Sequence, residues 1–122
     1  MNFVTELDEF TFYPELEASS GIVLVFFTGP HCASCHHLKH LLNTESKQFI
    51  DHFQQSEQTF KAYEIKADKA AALVNEFGVF HLPSMYLYED GNYHCELKAE
   101  AMLAKLIEAM DSALAKPAEE EP

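Results

Sequence analysis

The stretch GPHCASCHHLKH, residues 29–40, contains two cysteines and four histidines within twelve residues. Cys32 and Cys35 are separated by two residues, a spacing typical of a thiol–disulfide redox centre. Extended to His36, the same stretch fits C-x-x-C-H, the attachment signature of c-type haem. With His40 added, it offers four side chains of the kind that bind zinc. The rest of the chain has to decide between redox, haem and zinc chemistry.

Length, composition and charge limit the class of protein. The chain has 122 residues, 48% of them hydrophobic, which is enough for one domain with a core of its own. Its formal net charge of −12 leaves no surface that could neutralise phosphates, so we expect no nucleic-acid partner. We also expect no membrane partner and no signal peptide, because no apolar run approaches ~18 residues and no basic segment opens the chain. A cytoplasmic location follows as an expectation.

Cysteine usage narrows the chemistry further. Three cysteines cannot form a disulfide scaffold in a chain of this length. In a reducing compartment, a close pair such as Cys32 and Cys35 is more typical of catalysis or metal binding than of structural cross-linking. Cys95 alternates with Tyr93 and Leu97 along a predicted strand, so we expect it to face the core and to be unreactive.

The hydrophobic pattern predicts alternating strands and helices. Residues 22–27 are six consecutive apolar residues, typical of a central strand covered on both faces, and a helical apolar period follows from Ala33. We expect Thr44 to cap a second half of that helix and Asp68 to cap a later helix. The predicted strands are 3–7, 22–27, 63–67, 85–88 and 93–97, and the predicted helices are 8–18, the segment from 33, 68–78 and 99–114. These elements form one domain, residues 1–115, and residues 116–122 are predicted to be an acidic disordered tail.

The C-x-x-C pair lies between a predicted buried strand and a helix, and the stretch GVFHLPSMYLYEDG, residues 78–91, follows the third predicted helix. This combination resembles the thioredoxin family over nearly the whole chain. The resemblance implies an α/β thioredoxin fold, in which a central mixed four- to five-stranded sheet is flanked by helices on both faces, and it puts Pro83 at the family's cis-proline position. Among its departures from the family, Ala33-Ser34 replaces Gly-Pro and Phe26 replaces a buried Asp. Ser34 adds an N–H and a hydroxyl near the thiolate, which favours a more oxidising disulfide.

The resemblance also implies a thiol–disulfide oxidoreductase that acts on protein disulfides. Cys32, favoured as a thiolate by the helix N-terminus, would attack a substrate disulfide, and Cys35 would resolve the mixed disulfide. His31, Leu82 and Pro83 would contact the substrate. We expect no cofactor; the partners are disulfide-containing proteins and a reductant system that the sequence does not identify.

In the thioredoxin family, the buried Asp is linked to accepting the proton of the resolving thiol. Phe26 at that position cannot do so, which leaves open which group accepts the proton here. Glu64 lies on a neighbouring predicted strand, at a position where the family usually has a lysine. A carboxylate buried there without a partner would have a raised pKa and could accept the proton of Cys35, directly or through a water. Glu64 is therefore the candidate proton acceptor. The alternative is a Glu64 that reaches solvent or pairs with Lys66.

Three other functions compete with the redox interpretation. A thioredoxin-fold binding or adaptor module would dock a partner at Leu82-Pro83 without turnover. A Cys/His zinc-binding domain would use the C-x-x-C pair with His36 and His40, but on a helix Cys35 points inward while His40 points outward, so we expect no metal. Haem attachment needs two exposed cysteines and an export signal that the sequence does not show, and we reject it.

Overall fold

The computed structural model describes residues 2–122, and these contain one five-stranded mixed sheet. The strands are β1 (Thr5–Leu7), β2 (Ile22–Thr28), β3 (Phe60–Lys66), β4 (Ser84–Glu89) and β5 (Asn92–Leu97). Their spatial order is β1-β3-β2-β4-β5. Strands β1 and β2 run parallel to β3, whereas β4 runs antiparallel to both β2 and β5. The mixed sheet expected from the sequence is confirmed.

Within the described chain, helices cover both faces of this sheet. They are α1 (Phe12–Ala18), α2 (Ala33–Thr44), α3 (Ser46–Gln54), α4 (Ala71–Phe77) and α5 (Leu103–Leu114), with a 3₁₀ turn over Ala67–Lys69. Helices α2, α3 and α5 pack on one face, and α1 and α4 pack on the other. No helix within residues 2–122 is both long enough and apolar enough to cross a membrane.

Strand β2 lies at the centre of the sheet and contributes to both cores. All seven of its residues are buried, because β3 and β4 pair with its two edges and helices cover its two faces. Successive side chains point to opposite faces, so Phe26 packs with α2, α3 and α5, whereas Phe27 packs with α1 and α4. The strand ends at Thr28, and a short loop leads from there into α2. The C-x-x-C pair therefore follows directly on the most buried strand of the fold.

Two helix caps predicted from the sequence are wrong. Thr44 does not cap α3, because its Oγ1 donates back to the carbonyl of His40 at 2.9 Å and Glu45 takes the N-cap position. Asp68 does not cap α4, because Ala67–Lys69 first forms the 3₁₀ turn. Each local signal indicated a break in the chain's path correctly but assigned the wrong residue to the start of the next helix.

The β4–β5 connection is the two-residue turn that the sequence predicted. Asp90 and Gly91 have positive φ values of 50° and 81°, as a type I′ hairpin turn requires. Beyond the turn, the pairing shifts register so that His94 is an extra residue in the edge strand β5. The carbonyl of His94 accepts the backbone N–H of Glu119 at 2.7 Å, which places this part of the C-terminal segment against β5. The domain boundary at residue 115 stays a prediction.

Candidate active site

Cys32 and Cys35 lie where strand β2 leads into helix α2. Cys32 is the N-cap residue of α2, and its Sγ accepts the backbone N–H of Cys35 at 3.2 Å. Cys32 is partly exposed, whereas Cys35 is fully buried one turn into the helix. A disulfide joins the two residues, with their Cα atoms 5.2 Å apart. The site thus has one accessible sulfur at a helix N-terminus, where a thiolate is stabilised, and one protected sulfur behind it.

Ser34 adds a second donor at the accessible sulfur. Its Oγ lies 3.4 Å from Cys32 Sγ, and the residue is exposed. After reduction, the hydroxyl can donate to a Cys32 thiolate alongside the N–H of Cys35. Both donors favour the charged form of the sulfur and so lower the free energy of the reduced, ionised state.

The loop before β4 lies beside the C-x-x-C pair. The Leu82-Pro83 peptide bond is cis. A Cβ on Gly29 would lie 2.8 Å from Leu82 Cδ1, so the side chain of Leu82 packs directly against the loop that precedes α2. Pro83 and Ser34 line one cavity of about 520 Å³. His31, which directly precedes Cys32 in the chain, is exposed. Contact of substrate with His31, Leu82 and Pro83 stays a prediction.

Glu64 is buried in β3, but it is not the unpaired carboxylate predicted from the sequence. Lys39 Nζ of α2 lies 2.8 Å from its Oε1, and Thr28 Oγ1 donates to its Oε2 at 2.7 Å. Burial alone would raise the pKa of Glu64, but the contacts from Lys39 and Thr28 and the charge of Lys66 outweigh it, so the pKa is held below its usual value. The predicted raised pKa is therefore wrong. The alternative, in which Glu64 reaches solvent or pairs with Lys66, is wrong as well. Glu64 is 4% exposed, and Lys66 Nζ lies 3.3 Å from a carboxylate oxygen of Glu6 instead.

Comparison with known proteins identifies the family. The Thioredoxin family profile matches residues 3–112, which is most of the chain. The chain belongs to the thioredoxin family. A thioredoxin from Acetoanaerobium sticklandii is 30% identical over 109 residues, which cover 86% of this chain and 93% of that protein. The resemblance drawn from the C-x-x-C pair and the Leu82-Pro83 loop is confirmed.

Solved structures share the fold of this thioredoxin-family chain. The short form of spinach chloroplast thioredoxin f superposes with a TM-score of 0.72 at 19% identity, covering 93% of this chain and 95% of that chain. The zinc-bound form of human ERp44 superposes with a TM-score of 0.71 at 16% identity, and the match covers 92% of this chain but 30% of the ERp44 chain. At these identities the similarity establishes the thioredoxin fold alone. Family membership together with the Cys32–Cys35 disulfide supports a thiol–disulfide oxidoreductase in general terms.

Lys39 and Thr28 are the two members of the site that the sequence reasoning missed. Lys39 follows Cys35 by four residues, so the two share a helix face. That spacing could have predicted that Lys39, like Cys35, is on the side of α2 that faces the sheet. Thr28 gave no signal of its own, because its bond to Glu64 depends on the parallel pairing of β2 with β3.

The histidines near the C-x-x-C pair do not form a metal centre with it. His36 and His40 are exposed on α2, whereas Cys35 is buried beneath the helix. Among residues 2–122, no three His, Cys, Asp or Glu side chains lie close enough together to hold a metal ion. His37 instead contacts the carbonyl of Ala101 through Nε2 at 2.9 Å and links α2 to the loop before α5. The zinc-binding alternative therefore lacks a ligand set in the described part of the chain.

Cys95, the third cysteine, lies apart from the redox pair. It is buried in the core formed with α2, α3 and α5, as its position in the predicted strand indicated. Burial, with the charges of Glu119 and Glu96, raises the pKa of its thiol. A buried thiol with a raised pKa is a poor nucleophile.

Proposed function

We propose that this protein passes electrons from a dithiol reductant to protein disulfides, with Cys32 as the nucleophile and Cys35 as the resolving thiol. The observation that supports these roles is the asymmetry of the pair. Cys32 is partly exposed and its Sγ caps α2, whereas Cys35 is buried one turn further into the helix. An exposed sulfur at a helix N-terminus can attack an incoming disulfide, while the buried sulfur can reach only the first one.

The reaction proceeds through two exchanges. The Cys32 thiolate attacks one sulfur of a substrate disulfide, which forms a mixed disulfide and releases the other substrate sulfur as a thiolate. Cys35 then loses its proton and attacks Cys32 Sγ, which forms the Cys32–Cys35 disulfide and releases the second substrate thiolate. Two electrons pass to the substrate. An external dithiol returns two electrons through the reverse exchange at Cys32.

Glu64 takes a positioning role in this scheme. Lys39 and Thr28 hold its pKa low, so at neutral pH it is ionised and is a weak base toward the Cys35 thiol. Water is then the acceptor of the Cys35 proton. The carboxylate links α2 to β2 and β3 and fixes the helix that carries both cysteines.

The substrate segment lies across His31, Leu82 and Pro83. The cavity of about 520 Å³ supports this placement at Pro83, because Pro83 and Ser34 both line it and it is large enough for a side chain of the substrate; His31 and Leu82 do not line it. A cytoplasmic setting, where thiols are kept reduced, suits an enzyme that works in this direction. The location and the reductant stay predictions.

Reduction of insulin by dithiothreitol tests the proposed activity. The wild-type protein should accelerate insulin precipitation above the rate with dithiothreitol alone, and Cys32→Ser should abolish the acceleration. Cys35→Ser should instead accumulate a mixed disulfide with insulin, detected by non-reducing electrophoresis and mass spectrometry. Cys95→Ser is the matched control and should keep the wild-type rate.

The same assay separates the enzyme from the binding module. A wild-type protein that binds partners at the Leu82-Pro83 loop but does not accelerate insulin reduction would be an adaptor, and the proposed function would be wrong. If Cys32→Ser and Cys35→Ser trapped insulin equally as a mixed disulfide, the assigned roles of nucleophile and resolving thiol would be wrong.

A further inference from the structure

The cavity of about 520 Å³ beside the redox pair has three walls. One is formed by α2, one by residues 81–85, and one by the end of β5 together with residues 98–101 of the β5–α5 loop (residues 98–102). Ser34 belongs to the α2 wall, and its Oγ lies 3.4 Å from Cys32 Sγ. The cavity therefore begins beside the sulfur that attacks the substrate, so a residue next to the substrate cysteine can enter it.

The imidazole of His37 connects two of these walls. His37 lies on α2, and its Nε2 is 2.9 Å from the carbonyl oxygen of Ala101 in the β5–α5 loop. Both residues line the cavity. Because a carbonyl oxygen accepts hydrogen bonds and cannot donate, Nε2 carries a proton and is the donor. This bond joins the loop to the helix that carries the redox pair.

The β5–α5 loop has few other attachments. Within the described chain, no other hydrogen bond joins residues 98–101 to the rest of the protein. Ala99 and Ala101 pack against the core and are partly buried, but a methyl group contributes little apolar area. The other three residues of the loop are exposed. The bond from His37 is therefore the main polar contact that fixes this wall of the cavity.

The lining of the cavity favours an apolar occupant. Leu38, Met85 and Leu97 line it and are each 5% exposed or less. The charged residues of the lining carry both signs and all belong to the β5 wall: Glu96, Lys98 and Glu100. Charges of both signs give no net preference for a charged group, whereas buried apolar side chains gain from contact with another apolar side chain. The cavity therefore suits a large apolar side chain of the substrate.

We infer that His37 is a positioning residue for substrate selection. By donating to Ala101, it holds the β5–α5 loop in place as a wall of the cavity, so a large apolar side chain beside the substrate cysteine contacts all three walls. Without the bond the loop moves, and that side chain loses contact on one side. His37 acts on substrate binding and takes no part in the exchange between sulfurs. The inference rests on the proposed oxidoreductase function.

Single-turnover oxidation of the reduced protein by two synthetic peptides tests the selection. Each peptide is closed by one disulfide, and the two differ only in Leu or Ala beside the first cysteine. The ratio of the maximum rate constant to the half-saturating peptide concentration should be about fivefold or more higher for the Leu peptide with the wild type. His37→Ala should reduce this preference to less than about twofold. The change should arise from a higher half-saturating concentration of the Leu peptide, with the maximum rate constant changed by less than about twofold.

Two variants separate the hydrogen bond from a general effect of substitution on α2. His37→Gln keeps an N–H donor at a similar reach and should restore the preference for the Leu peptide. His40→Ala is the matched control, because His40 is exposed on the same helix and does not line the cavity. It should behave like the wild type.

A second measurement follows the loop itself and does not depend on redox activity. ¹⁵N relaxation of the oxidised protein gives order parameters for the backbone amides of residues 98–101. In His37→Ala these should fall from the range of rigid backbone, about 0.85, toward that of a flexible loop, below about 0.6. His37→Gln and His40→Ala should keep the wild-type values.

The outcomes distinguish this inference from the proposed function. If the wild type reduces neither the peptides nor insulin, the proposed function is wrong and the selection by His37 is wrong with it. If the wild type reduces the peptides, the inference alone is overturned by equal reaction with the Leu and Ala peptides. It is also overturned if His37→Ala keeps the wild-type preference or order parameters, or if His37→Gln fails to restore them.

Discussion

Lys39 and Glu64 form an ion pair between helix α2 and strand β3, with Nζ 2.8 Å from Oε1. The Glu64 side chain is 5% exposed, whereas the Lys39 side chain keeps 35% of its surface in contact with solvent. Glu64 also accepts a hydrogen bond from Thr28, the last residue of β2. One carboxylate therefore joins the three elements that position the C-x-x-C pair. Phe26 lies opposite Glu64 in the β2–β3 pairing, and its side chain is apolar. The charge partner of Glu64 is therefore Lys39 of α2 and not a residue of the neighbouring strand.

Lys39→Met should cost more stability at pH 7 than Glu64→Gln. Removing Lys39 leaves a buried carboxylate with Thr28 as its remaining partner, whereas neutralising Glu64 leaves a lysine that can turn toward water. We expect losses of about 2–3 kcal/mol and about 1 kcal/mol in urea unfolding, respectively. Lys47→Met, which removes an exposed pair with Asp51, is the matched control and should cost less than about 0.5 kcal/mol. Equal losses for the two lysine variants would show that the buried pair does not stabilise the fold.

The lowered pKa of Glu64 should make the stability fall on the acid side. A carboxyl group whose pKa is lower in the folded than in the unfolded chain binds fewer protons when folded. Its contribution is therefore fully present above the unfolded pKa of about 4.3 and is lost as the pH falls through the folded pKa. Urea unfolding between about pH 6 and pH 3 should show a shallower fall for Glu64→Gln than for the wild type. Parallel curves would mean that Glu64 titrates normally.

Glu64→Gln should slow the resolution step by less than about threefold at neutral pH, since a carboxylate with a lowered pKa is a weak proton acceptor. Rapid mixing of the reduced protein with a fluorescent disulfide substrate measures the decay of the mixed disulfide. Lys39→Met should have the opposite effect and speed the resolution step. Loss of the lysine cation raises the pKa of Glu64 and so makes its carboxylate a stronger base. A slowing of tenfold or more in Glu64→Gln would restore Glu64 as the proton acceptor.

The fold and the redox pair could be predicted because their signals are local. The apolar run at residues 22–27, the C-x-x-C spacing and the Asp90-Gly91 turn each specify a structure within a few residues. The surroundings of Glu64 could not be predicted in the same way. Lys39 lies 25 residues earlier in the chain and meets Glu64 only because α2 packs across β3. Pairing of a buried charge is a tertiary property, so its pKa could not be inferred from strand alternation.

Gly91→Ala should destabilise the protein more than Gly78→Ala. Both glycines have positive φ, 81° and 62°, where a Cβ is strained. A Cβ on Gly91 would also lie 2.9 Å from the backbone oxygen of Leu16, whereas a Cβ on Gly78 would meet no described atom within 4 Å other than those next to it along the chain. We expect losses of about 1 kcal/mol for Gly78→Ala and about 2 kcal/mol or more for Gly91→Ala in thermal or urea unfolding. Similar losses would indicate that the hairpin moves away from α1 at little cost.

Ser34→Ala should raise the pKa of the Cys32 thiol, because the thiolate loses the hydroxyl 3.4 Å away and keeps the N–H of Cys35. The pH dependence of Cys32 alkylation by iodoacetamide measures this shift, since the thiolate is the reacting form and the buried Cys35 and Cys95 react slowly. A less stable thiolate also makes the disulfide less oxidising, by up to about 30 mV for a loss of 1.4 kcal/mol, measured by equilibration with glutathione. Ser112→Ala, at an exposed position on α5, should change neither quantity. An unchanged alkylation profile and potential in Ser34→Ala would mean that the hydroxyl does not donate to Cys32 in the reduced protein.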